Sequence, residues 1–287
     1  MDEVGAISGP ADRNSPEAAV AARLARRERG ARLQGILLPL LVAVPVLLFW
    51  ELYTNALRNP LIPGPSRLVA VVPEVLGNPR VLSGLLSSNL SLLLGYLGAL
   101  TVGLPLGLLM GRVRVVDGTL SILLDIAIVT PMVVVMPVVL IALGLTRESQ
   151  AVIIFVFALP LVTLMCRAGT REVPRELIEM ATSFGADERR IWREVLLPGS
   201  VPGIGAALRL GFGQAITGMA VVELTLLAIG IGNVILDYQS SFRTAQTFVV
   251  IGILMVEAVV AMWVLRAVVS RMGGHTVTST DAERALA

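Results

Sequence analysis

The residues of this chain with the clearest capacity for work form one polar segment. It runs Glu179-Met-Ala-Thr-Ser-Phe-Gly185 and resumes after nine residues as Val195-Leu-Leu-Pro198. The chemistry on offer is mechanical rather than covalent. Pro174 suits a first helical turn, where its missing N–H would have been unpaired in any case. Leu177, Ile178, Ala181 and Phe184 then recur at helical spacing. Gly185 stands where a helix end favours a residue free to take positive φ. Asp187 can cap a second helix, in which Ile191 pairs with Val195 and Trp192 with Leu196. Pro198 is expected to stop that helix before the next apolar stretch. The expected product is an elbow of two short helices, apolar on one side and Arg/Glu-rich on the other, set between apolar spans. A protein outside the membrane could grip such an elbow. It could equally lie on the inner membrane surface, with Arg189, Arg190 and Arg193 toward anionic lipid. The residues alone leave both readings open.

A second group lies within apolar stretches. Ionisable side chains in the hydrocarbon region are costly and usually face a bundle interior or water. Arg209, Glu223 and Glu257 are of this kind, and Asp125 stands in another apolar stretch. Arg209 and Glu223 fall near one face of a helix but about 20 Å apart along it, too far to pair. For an anionic solute Arg209 would be the attractor, and Glu223 a gate or hydrogen-bond anchor. Thr130-Pro131-Met132 and Pro137 should kink their span, which makes Thr130–Pro137 a candidate lining for a route across the membrane. Gly95, Ala99, Gly103, Gly107 and Gly111 recur every four residues, a stripe that lets another helix approach closely, within the subunit or across a dimer.

Other chemistry is poorly provided for. Cys166 is the single cysteine and His275 the single histidine, so no disulfide, Cys-based metal site or His-dependent hydrolase is expected. All 23 basic residues are Arg. Without Lys the chain cannot carry the phosphate-binding Gly-x4-Gly-Lys-Ser/Thr loop, and it is expected to bind no cofactor of its own.

The elements that must position these residues are membrane helices. With 55% hydrophobic residues, 15% charged and a mean hydropathy of +0.81, the chain is too apolar for an ordinary soluble domain. Six spans are expected, at 35–53, 85–111, 119–143, 149–167, 203–226 and 247–269. Residues 1–32 are polar and read as a disordered tail, followed by an uncleaved anchor rather than a signal peptide, since the span ends in Trp50, Glu51 and Tyr53. Residues 33–84 then hold the anchor and an outer loop, 85–272 the core with an inner loop at 171–200, and 273–287 a second tail. In the outer loop, Ser66–Leu76 could form a short helix, which Pro73 is expected to break. Placing both termini inside puts 17 of the 23 arginines on the inner side, and only five outside. That orientation also places the 174–198 elbow inside.

The spacing Glu-x-Ala-x3-Gly-x9-Val-x-Leu-Pro resembles the "EAA" loop of ATP-binding-cassette importer permeases, with Met180 and Val195 as mild departures. From about Leu85 to Met272 the chain is similar to the permease branch serving nitrate, taurine, aliphatic sulfonates and bicarbonate. Gly103-Leu-Pro-Leu-Gly-Leu-Leu-Met-Gly111, Leu208-Arg-Leu-Gly211, Val222-Glu223 and Gly230-Ile-Gly-Asn233 carry that likeness. The resemblance implies an all-α type I importer permease fold in a bacterial inner membrane. Glu179, Met180, Ala181, Phe184, Gly185, Val195, Leu197 and Pro198 would then serve as the dock for an ATPase. It implies a second copy of this chain, two ATPase copies holding ATP and Mg, and an external periplasmic or lipid-anchored substrate-binding protein, with no nucleic acid. Two rival readings remain. A carrier or channel would work without an ATPase, and a membrane scaffold would recruit a cytosolic protein without moving solute.

Overall fold

The computed structural model describes residues 41–57, 61–226 and 229–272, and every regular element among them is helical. The chain divides into two compact units, Met1–Val69 and Ala70–Ala287. In the first, helix α1 (Leu41–Leu57) is apolar over its length. Its Glu51 carboxylate accepts hydrogen bonds from the Ser66 N–H and hydroxyl at 3.0 and 2.7 Å. Helix α2 (Pro65–Leu76) runs through Pro73 rather than breaking there, forgoing the one backbone bond the ring cannot make. The tails at 1–32 and 273–287, and the start of the span expected at 35–53, lie outside the described residues.

The second unit contains the helices α3 (Pro79–Arg112), α4 (Arg114–Val129), α5 (Met136–Leu143) and α6 (Arg147–Arg171). They are followed by α7 (Arg175–Ser183), α8 (Glu188–Ile191), α9 (Leu197–Gly199), α10 (Val201–Leu226), α11 (Gly232–Ser240) and α12 (Thr244–Met272). Local chemistry sets several of the ends. The Asn78 side chain accepts from the Arg80 N–H, with Pro79 opening α3. Thr146 and Ser149 form a reciprocal capping box at the start of α6.

Among the described residues, α3, α6, α10 and α12 are each long and apolar enough to cross a membrane. Helix α4 and Met132–Leu143 pass the same test only as a pair bent by 86°, the geometry of a broken span or a re-entrant loop. The continuous span expected at 119–143 is therefore broken. Thr130 precedes a proline and is driven to extended backbone (ψ 125°), which caps α4. A short 3-10 turn, Met132–Val134, then redirects the chain into α5.

Helix α6 is the enclosed element, with 44% of its apolar window buried against 11% for α12. It packs along α3 on one side and α10 on another. The small-residue stripe of α3 is the first of these seams. A Cβ added at Gly95 would lie 2.5 Å from the Ala151 carbonyl oxygen, and one at Gly111 2.4 Å from Thr170 Cβ. On α10 the seam is tighter still, since a Cβ on Gly169 would come within 2.3 Å of Gly203 Cα.

Candidate functional site

Between α6 and α10 the chain leaves the bundle as a compact element over residues 172–200. Pro174 is the residue before α7 rather than its first helical residue, and no side chain caps the helix there. Met180 and Thr182 carbonyls close the C-terminus of α7 onto Phe184, and Gly185 turns the chain at φ +80°. The Asp187 side chain then accepts from the Arg190 N–H at 2.9 Å and opens α8.

The next step departs from expectation. Pro198 does not end the helix. Residues Trp192–Leu196 form a π-helical turn, in which the Leu197 N–H reaches back five residues to the Trp192 carbonyl. In an ordinary α-turn the Pro198 ring would collide with the carbonyl four residues earlier. The wider turn absorbs that conflict. Helical bonding resumes with Ser200 N–H to Leu196 at 2.8 Å and Ile204 N–H to Ser200 at 2.9 Å. From Asp187 onward the element is thus joined to α10 by a nearly unbroken helical path.

A small core holds the elbow together. Val173, Ile191 and Leu196 are buried, with Ile178, Ala181, Ala186, Trp192 and Val195 packed around them. Leu196, 1% exposed, is the keystone; the helical spacing pairs it with Trp192, but the Glu-x-Ala-x3-Gly-x9-Val-x-Leu-Pro motif leaves it a variable position. The outer side differs. Leu177, Met180 and Phe184 are 44%, 53% and 84% exposed, and Leu197 lies at the surface with Pro198 and Glu179. Apolar side chains grouped on a charged protrusion form the kind of patch that a protein partner or a membrane surface covers. At its base the Ser200 hydroxyl donates to the Thr170 hydroxyl of α6 at 3.4 Å, and farther out an ion pair ties the elbow to the bundle. The Arg112 guanidinium donates to both Glu188 carboxylate oxygens at 3.1 and 3.2 Å, in the fork geometry suited to a carboxylate. Nearby, Asp117 on α4 sits between Arg167 and Arg171 of α6.

The residues expected along the solute route are distributed differently. Thr130 is half-buried and donates its hydroxyl proton to the Ile126 carbonyl at 2.7 Å. Pro131 and Pro137 are exposed. Met132 packs on the cluster of Met136, Ile153, Phe157 and Val222 that joins α5 to α6 and α10. Glu223 is fully buried, where the Gln150 amide donates to it at 3.0 Å and the Ser88 hydroxyl bonds to it. Ser88 also accepts from the Ile231 N–H at 3.1 Å, beside Gly230 at φ +58°. The next residue on α3, Asn89, donates to Glu257. Neighbouring side chains of α3 therefore hold both carboxylates, an arrangement invisible in the linear order. Arg209 is half-buried and has no hydrogen-bond or ion-pair partner among the described residues. The structure does not bring Arg209 and Glu223 together.

Residues 103–274 match the family model described as binding-protein-dependent transport system inner membrane component. The chain is similar to the taurine transport system permease protein of Escherichia coli K12, 26% identical over 77% of this chain and 81% of that one. It is also similar to the nitrate import permease protein of Synechocystis, 25% identical over 70% and 76%. Among solved structures it resembles the MetNI methionine ABC transporter in inward-facing conformations. There the TM-score is 0.51 at 23% identity, covering 67% of this chain and 92% of that one, a likeness of fold.

Proposed function

Since this chain belongs to the family of binding-protein-dependent transport inner membrane components, the permeases of ABC importers, we propose that its 172–200 elbow receives a separate ATPase. In this reading the ATPase hydrolyses ATP and the chain carries the solute pathway. The single observation behind the proposal is the shape of the elbow: exposed Leu177, Met180 and Phe184 on a polar protrusion whose far end continues into α10. A partner that closes on ATP would push α7 and α8, and α10 would transmit the displacement into the membrane.

The assembly would comprise two copies of this chain, two ATPase subunits and an external substrate-binding protein, in a bacterial inner membrane with both termini inside. The names of its taurine and nitrate relatives favour a small anion as solute. Arg209, half-buried and without a partner among the described residues, would attract it; Thr130, Pro131, Met132 and Pro137 would line the bend. Glu223 and Glu257 would hold α10 and α12 to α3.

The test is purification of the tagged chain from its native membrane in mild detergent, with mass spectrometry of its companions. An ATPase should accompany the wild type. Gly185→Arg forces a side chain into left-handed backbone and adds charge at the turn, so the ATPase should be lost and uptake abolished while membrane insertion persists. Normal uptake by this variant would sink the coupling role.

A further inference from the structure

Behind the elbow, where the ends of α3 and α6 meet α7, lies a cavity of about 610 Å³. Its lining includes four arginines, Arg112, Arg114, Arg171 and Arg175, and one carboxylate, Glu179. Two of these arginines are already engaged, Arg112 with Glu188 and Arg171 with Asp117. Arg114 and Arg175 have neither a hydrogen-bond nor an ion-pair partner among the described residues. The same space adjoins the first turn of α7, whose N-terminus no side chain caps. Its leading amides and the positive end of its dipole are therefore available to a negative ligand. With Arg112 and Arg171 offset by Glu188 and Asp117, the excess positive charge rests on Arg114 and Arg175, and Glu179 is the one carboxylate in the lining.

We propose that this cavity binds a phosphate group, with Arg114 and Arg175 as its principal donors and the start of α7 as a third. Guanidinium forks match the tetrahedral oxyanion in geometry as well as charge, and an uncapped helix N-terminus adds backbone donors. The volume admits more than a bare phosphate, so the group can belong to an anionic lipid headgroup or to a soluble phosphate. The inner-leaflet location of the lipid source rests on the proposed orientation; the binding itself does not, and its failure would leave the importer reading untouched.

The test uses the full chain in phosphatidylcholine nanodiscs at constant ionic strength, followed by thermal unfolding. One arm adds sodium phosphate; the other replaces a quarter of the lipid with phosphatidylglycerol. A rise in unfolding temperature with phosphate identifies a soluble ligand, and a rise only with phosphatidylglycerol identifies the headgroup. In either case the doubly substituted Arg114→Gln/Arg175→Gln chain should need roughly tenfold more ligand for the same rise. Both side chains are exposed and have no partner among the described residues, so their removal strands no buried group there. The lysine pair Arg114→Lys/Arg175→Lys should retain part of the response. Arg189→Gln/Arg193→Gln, which removes equal charge outside this cavity, should retain all of it. No rise in either arm, or equal loss in both glutamine pairs, would overturn the proposal.

Discussion

At the scale of single residues the closest backbone-to-backbone approach among the glycines is Gly169 against Gly203. Their backbones touch, and even one methyl group at either position would fall 2.3–2.4 Å from the other's Cα. Gly169→Ala should therefore push α6 off α10 and cost roughly 1–3 kcal/mol, read as a lowered unfolding temperature of the solubilised chain. Gly118→Ala, where an added Cβ meets nothing within 4 Å, should leave that temperature unchanged. An unchanged temperature for Gly169→Ala would show that the seam relaxes freely. Residues whose role is settled by their immediate neighbours were legible in advance: Gly185 takes its positive φ and Asp187 its cap. Residues whose role depends on distant partners were not. Nothing near Glu223 in the sequence names Gln150 or Ser88, which arrive from α6 and α3.

At the scale of elements the same division holds. The place of the bend at Thr130–Pro131 was evident, because a residue before proline resists the helical region. Its 86° size was not, since the 3-10 turn that follows sets it. Pro198 misled for a related reason. A proline is a stop signal only while the helix keeps its normal pitch, and the π-turn at Trp192–Leu196 relaxes that condition. The continuity it creates has a measurable consequence. Two glycines inserted between Ser200 and Val201 should soften the link, since Gly is costly in a helix interior. The elbow core would be intact, so a co-purifying ATPase should be retained while uptake falls to background. Undiminished uptake would mean that force reaches the bundle by another route, such as the Arg112–Glu188 tie.

At the scale of the whole molecule the distribution of arginine carries the orientation, with 17 of 23 on the side assigned to the interior. Single cysteines can check it, because Cys166 is fully buried and should stay silent. Arg80→Cys should react with a membrane-impermeant maleimide in intact cells, and Arg189→Cys only after permeabilisation; the reverse pattern would invert the topology. The contact of Gly169 with Gly203 has one more implication. It pins the chain where it leaves α6 and where it re-enters α10, so residues 172–200 depart and return through a single point. Beyond that point Arg112–Glu188 is the side-chain fastening described above. A segment so bounded behaves as an exchangeable cassette. Substitutions confined to that segment can therefore redraw its exposed face, Leu177, Met180 and Phe184 included, while the register of α6 against α10 is kept.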